Sequence, residues 1–196
     1  MLAGHSFGGL YVLTFAARYP EEVAGMVLVD STAPASTTNP GTAPPGHGGS
    51  SNGMSRVSAL VSTAARLGLG RLYAQSAFGS LPPRSRDEVR ASDATASTLR
   101  STIDEYVQAT ASVEQAAALR DFADKPLIVL TAGSGHDAAW STAQNRMARL
   151  STNSVHRSIA GATHEDLVGN EEDAAATTQA ILDVVSAVRN QRHLAR

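Results

Sequence analysis

Ser6 stands in Gly4-His5-Ser6-Phe7-Gly8, a serine with a glycine two residues to either side. A tight turn from strand to helix forces such a serine into a strained backbone conformation and lifts its hydroxyl above the sheet; side chains at the flanking glycines would clash. The N–H of Phe7, at the start of the following helix, points where an oxyanion would form. This arrangement suits acyl transfer by a serine nucleophile, which also needs a general base and a carboxylate to orient it. With no cysteine in the chain, there is no thiolate nucleophile, disulfide framework or thiolate metal site. No metal-ligand spacing, Walker loop or dinucleotide fingerprint is present, so no cofactor is expected. The chemistry falls to Ser, His, Asp and Glu.

The elements that must position Ser6 follow from hydrophobic pattern. Residues 8 to 19, GGLYVLTFAARY, predict a buried helix that ends before Pro20. VAGMVLVD, closing on Asp30, is a continuous aliphatic run of the kind found in parallel strands covered on both faces, and KPLIVLTAG at 125 to 133 reads the same way. SVHRSIAG at 154 to 161 is a weaker third candidate. Trp140, Ala143, Met147 and Leu150 keep helical spacing, as do Ile181, Leu182, Val185 and Val188 behind an acidic first turn at Glu171 to Asp173. Strand and helix in alternation predict an α/β fold, a parallel sheet with flanking helices.

Between Asp30 and Lys125 the alternation stops. Residues 33 to 54 are rich in Pro, Gly, Ser and Thr and predict a loop. Val57, Leu60, Val61 and Ala64 form one helical stripe and Leu99, Ile103, Tyr106, Val107 and Thr110 another, which predicts helices near 55 to 77 and 86 to 112. The domain plan is a core from residues 1–32 and 119–196, with a loop and helical cap over 33–118.

Composition sets the outer limits. The chain has 196 residues, 42% of them hydrophobic and 17% charged, with a formal net charge of -2, which suits one soluble globular domain. No basic stripe suggests nucleic acid, and the longest apolar runs are too short to span a bilayer. A small molecule is the expected ligand. No targeting signal is recognisable, so localisation is left open.

From the elbow onward the chain resembles the α/β-hydrolase fold family, over Met1 to about Arg189. That resemblance implies the order nucleophile, acid, histidine. It assigns the general base to His164, in AGATHEDLVGNEEDA after the last strand, in preference to His5, His47, His136, His156 and His193. For the acid, Asp137 shortly after PLIVLTAG is the first choice and Asp30 at the end of the preceding strand is the alternative. Asp137 also suits the N-cap of the helix carrying Trp140. Glu165 and Asp166 read as a hydrophilic loop, and Arg84, Arg86 and Arg90 as an exposed helix face.

In that family a second oxyanion donor and the first half of the sheet precede the elbow, whereas Ser6 has almost nothing before it. A truncated serine hydrolase acting on an ester or related acyl compound is the resulting expectation, with an exposed sheet edge open to association. The alternative is a non-catalytic fragment or interaction module that keeps the scaffold. A serine in the elbow, rather than an aspartate, disfavours a dehalogenase or epoxide hydrolase.

Overall fold

The computed structural model describes residues 1–34, 79, 81–93 and 95–195. The loop expected over 35–53 with His47, and the helix expected over 55–77 with Val57, Leu60, Val61 and Ala64, lie outside the described residues. So do the side chains of Leu99, Ile103, Tyr106 and Val107.

Met1–Pro40 and Ser112–Arg196 make one compact unit, and Gly41–Ala111 a second. In the first unit, β1 (Leu2–His5) leads into α1 (Gly8–Arg18), and a 3-10 turn at Pro20–Glu22 leads to β2 (Met26–Val29). The second unit holds α2 (Pro83–Asp93) and α3 (Ala96–Val107), and α4 (Ala109–Ala116) follows. The chain then runs through β3 (Leu127–Ala132), α5 (Ala138–Ala148), β4 (Ser154–Ile159), α6 (Asp166–Gly169) and α7 (Glu171–Asn190). The four strands form one sheet in the order β1-β2-β3-β4, every pair parallel, with Leu2 opposite Met26, Met26 opposite Leu127 and Leu127 opposite Ser154.

All four residues of β2 and all six of β3 are buried, which is why their sequences run apolar without alternation. Successive side chains point to opposite faces. Met26, Leu28, Leu127 and Val129 pack with Leu10, Leu13 and Ala16 of α1 and Met147 of α5; Val27, Val29, Ile128 and Leu130 pack with Ala180 and Val184 of α7. These two layers fix the carboxyl ends of the strands relative to one another.

Three expectations need correction. α1 is buried on one side only: Tyr11, Phe15 and Tyr19, four residues apart, are 45%, 38% and 48% exposed, because a helix lying on a sheet hides one face. On α7 the fully buried residues are Ala180, Val184 and Ala187; Ile181 and Val188 pack against them partly buried, and Leu182 is 54% exposed because it lies off that face. The single helix expected over 86–112 is divided into α2, α3 and α4, and Thr95 opens α3 by accepting a bond from the N–H of Thr98 through its hydroxyl.

Of the two glycines flanking Ser6, one meets the expectation and one does not. A Cβ at Gly4 would come within 2.6 Å of the Gly8 carbonyl oxygen, so the clash expected there exists. A Cβ at Gly8 meets nothing within 4 Å among the described residues, and the close approach belongs instead to Gly9, whose Cβ would overlap the Ser31 side chain. Gly9→Ala is therefore expected to lower stability by about 1–3 kcal/mol, while Gly8→Ala stays within about 1 kcal/mol of the parent. Thermal unfolding of both variants checks this; equal melting temperatures would contradict it.

Candidate active site

Ser6 leaves β1 with φ 55°, a left-handed conformation that costs a non-glycine residue about 1–2 kcal/mol. The turn is held by backbone bonds: Ser6 N–H donates to the Val29 carbonyl at 3.1 Å, and the Ser6 carbonyl accepts from Gly9 at 3.2 Å and Thr32 at 3.0 Å. Ser31 donates its hydroxyl to the Gly4 carbonyl at 2.8 Å, and Gln144 of α5 donates to the Ser31 carbonyl at 2.8 Å. The turn carrying Ser6 is thus stitched to the segment that follows β2. Phe7 precedes α1 in right-handed helical geometry, with φ −62° and ψ −30°.

That same segment begins with Asp30, the second left-handed residue of the site, with φ 41° and no solvent exposure. Four donors surround its carboxylate. Oδ2 accepts from His164 Nδ1 at 2.6 Å and from His136 Nε2 at 2.6 Å; Oδ1 accepts from Trp140 Nε1 at 3.0 Å and from the Ala132 N–H at 3.2 Å. An ionised carboxylate only accepts, so both imidazole nitrogens facing it carry hydrogen. A neutral His164 then keeps its lone pair on Nε2, the tautomer a general base needs.

The loops that carry these donors are tied together. Gly133 N–H donates to the Ile159 carbonyl at 2.9 Å and Ser134 N–H to the Ala162 carbonyl at 3.0 Å, which joins the segment after β3 to the one after β4. His5, inside the elbow, donates from Nε2 to the His164 carbonyl at 3.1 Å, and the two rings lie 4.4 Å apart. Ser6 is thereby one residue from a direct contact with His164. The direct Ser6–His164 hydrogen bond that was expected is not among those of the described residues.

The acid nearest His164 is Asp30, not Asp137. Asp137 is the N-cap of α5, its carboxylate accepting from the Trp140 N–H at 2.8 Å, and it is exposed. A carboxylate already satisfied by the first turn of its own helix has little reason to turn inward. Sequence reasoning missed His136 and Trp140 as partners of Asp30. The available signal was a carboxylate closing a wholly apolar strand, which requires buried donors.

Other charged groups have local duties. Asp166 accepts from the Thr163 N–H at 2.9 Å and hydroxyl at 2.6 Å, and Arg84 pairs with Glu88 at 3.1 Å on the exposed face of α2. His156 joins Thr131 at 2.7 Å to Asn145 at 2.8 Å and ties β3, β4 and α5 together.

Burial pushes the Asp30 carboxyl up, but the bonds from His164, His136, Trp140 and Ala132 outweigh it and hold the group below its ordinary 3.8. For His164 the bond to Asp30 dominates over burial, with the charges of Asp30 and Glu165 adding to it, and raises the imidazole above its ordinary 6.5. His5 moves the other way: burial, then the neighbouring His164, lower it. Atoms of Asp30, His136 and His164 lie within 4.8 Å of one another and are of the types that bind cations. Their 2.6 Å separations are hydrogen-bond distances, shorter than the roughly 3.3 Å between tetrahedral ligands about 2.0–2.1 Å from zinc. This is a hydrogen-bonded cluster.

Asp30 at the end of β2 and His164 after β4 are joined by a hydrogen bond, Ser6 lies in the turn after β1, and a profile of the alpha/beta hydrolase family matches residues 1–180. The chain belongs to the alpha/beta hydrolase family. No curated protein sequence matches this hydrolase-family chain. Among solved structures it is similar to a thermophilic esterase from Thermogutta terrifontis, with 25% identity, a TM-score of 0.51, and coverage of 95% of this chain and 64% of that one. It is also similar to MGS-M2, an alpha/beta hydrolase enzyme from a Medee basin deep-sea metagenome library, with 18% identity, a TM-score of 0.54, and coverage of 94% and 64%. Cfl2 from Burkholderia cenocepacia gives 20% identity, a TM-score of 0.59, and coverage of 92% and 64%. The chain thus spans 64% of the length of each of these three family members. No helix among the described residues is long and apolar enough to cross a membrane.

The Asp30–His164 pair gives this alpha/beta hydrolase a defined stability window. The contribution of the depressed carboxyl is present above 3.8 and is lost as pH falls through the folded value of Asp30; that of the raised imidazole is present below 6.5 and is lost as pH rises through the folded value of His164. The difference in urea midpoint between the parent and Asp30→Asn is therefore expected to be largest between 3.8 and 6.5. A difference independent of pH would contradict the pairing.

Proposed function

We propose that the chain acts as a serine hydrolase on an ester or related acyl compound, through Ser6, His164 and Asp30. The observation that carries this reading is the hydrogen bond of 2.6 Å between His164 Nδ1 and the buried Asp30 carboxylate, made beside a serine with φ 55°. In this mechanism Ser6 attacks the acyl carbon while His164 Nε2 takes the hydroxyl proton. Asp30 holds the imidazole in that tautomer and stabilises the imidazolium. The N–H of Phe7 donates to the oxyanion of the tetrahedral intermediate. That intermediate collapses to an acyl-enzyme as His164 returns the proton to the leaving alkoxide, and water activated by the same imidazole completes hydrolysis.

Similarity to an esterase at 25% identity supports the acyl-ester class. The chain spans 64% of the length of these structural relatives, and the oxyanion donor this reading names within it is the Phe7 N–H.

Hydrolysis of a series of p-nitrophenyl esters tests the reading. Ser6→Ala should abolish turnover above the uncatalysed rate, and Asp30→Asn should reduce kcat about 10⁴-fold. Asp137→Asn should stay within a few-fold of the parent. Equal turnover by the parent and Ser6→Ala would overturn the proposal.

A further inference from the structure

His136 is absent from the mechanism above, yet it lies 2.6 Å from the same oxygen of Asp30 that His164 uses. Its ring stacks on Trp140, 4.5 Å between centroids and 8° from parallel, and Trp140 Nε1 reaches the other carboxylate oxygen at 3.0 Å. The stacked pair therefore holds both oxygens of Asp30 from one side. His136 leaves the segment after β3, and Trp140 lies in the first turn of α5. His136 is a single side chain set 17% exposed over a carboxylate with no exposure, so the pair also separates Asp30 from water.

We propose that His136 and Trp140 are positioning residues that fix both oxygens of Asp30, divide Oδ2 between two imidazoles, and so set how strongly Asp30 holds His164. The proposal rests on the assignment of His164 and Asp30 made above. A carboxylate oxygen shared by two donors is a weaker acceptor for each than one given to a single donor, because each bond withdraws charge from it. Every donor removed from Asp30 leaves a more basic carboxylate and a tighter bond to His164. The cost is a His164 that is protonated to higher pH and a carboxylate less firmly oriented. Among the described residues, the titratable groups that face His164 are Asp30, His5 and Glu165, with the His136 ring 6.2 Å away at right angles. His5 and Glu165 are untouched by changes at His136 or Trp140.

The direct test is a proton NMR titration of His164 in the intact chain, read at its ring carbons and at the low-field Nδ1 proton, in four proteins. His136→Phe keeps the stacking surface and removes the donor. Trp140→Phe keeps the stack and removes the donor to Oδ1. His136→Gln restores an N–H near the position of Nε2. The expected result is an upward shift of the His164 midpoint by about half a pH unit or more in His136→Phe, a threefold gain in proton affinity, with a smaller shift in the same direction for Trp140→Phe. His136→Gln should return toward the parent. Unchanged midpoints in both phenylalanine variants would overturn the proposal, as would a shift that the glutamine fails to reverse. Loss of turnover with no shift would likewise assign the pair a merely structural role. The titration does not need catalysis, so an inactive parent, or turnover retained by Ser6→Ala, speaks against the serine hydrolase reading and leaves this result to be judged by itself.

Discussion

A fully buried carboxylate at the end of an apolar strand constrains everything around it. Moving an unpaired Asp30 out of water would cost several kcal/mol, so the fold is viable only if donors are delivered to both oxygens. They arrive from three places: Ala132 at the end of β3, the His136–Trp140 segment leading into α5, and His164 after β4. The parallel register that buries Met26–Val29 against Leu127–Leu130 is what sets these chain segments side by side. The geometry of the candidate site is in this sense a consequence of satisfying one charge, and strain is stored beside it. Ser6 and Asp30 both hold left-handed φ values, and the backbone bonds joining Ser6 to Val29 and Thr32 hold the two strained turns together.

The choice between two aspartates shows local and distant hydrogen bonding in competition. Asp137 stands where α5 begins, and the N–H of Trp140 is three residues away and unpaired within the helix, so the cap forms at almost no entropic cost. Asp30 has no such local outlet: its neighbours in sequence are a buried strand and a buried serine. Among the described residues, the partners of its carboxylate are all more than a hundred residues distant. Trp140 takes part in both settlements, its backbone satisfying Asp137 and its indole Asp30.

The fold was legible because its signals are local and redundant. MVLV and LIVLTA announce doubly covered strands by their lack of alternation, and the glycines around Ser6 announce a turn. Ser6 was singled out from its flanking glycines and His164 from the resemblance to the family order; the structure puts Ser6 in a left-handed turn and His164 on Asp30. Where the sequence misled, the deciding quantity was three-dimensional. α1 is rich in apolar residues on every side, yet a sheet covers only one face, so Tyr11, Phe15 and Tyr19 remain exposed. Gly8 and Gly9 look equivalent in sequence, and only the approach of Ser31 makes Gly9 the sterically restricted one. His136 is adjacent to one candidate acid and bonded to the other, a distinction that spacing along the chain does not contain.

Labelling with a fluorophosphonate probe, which phosphonylates an activated serine without needing the natural substrate, tests the central claim most directly. Peptide mass mapping should place the adduct on Ser6, with the labelling rate reduced by orders of magnitude in Asp30→Asn and nearly unchanged in Asp137→Asn. An adduct on another residue, or a rate that depends on Asp137 and not on Asp30, would contradict the account.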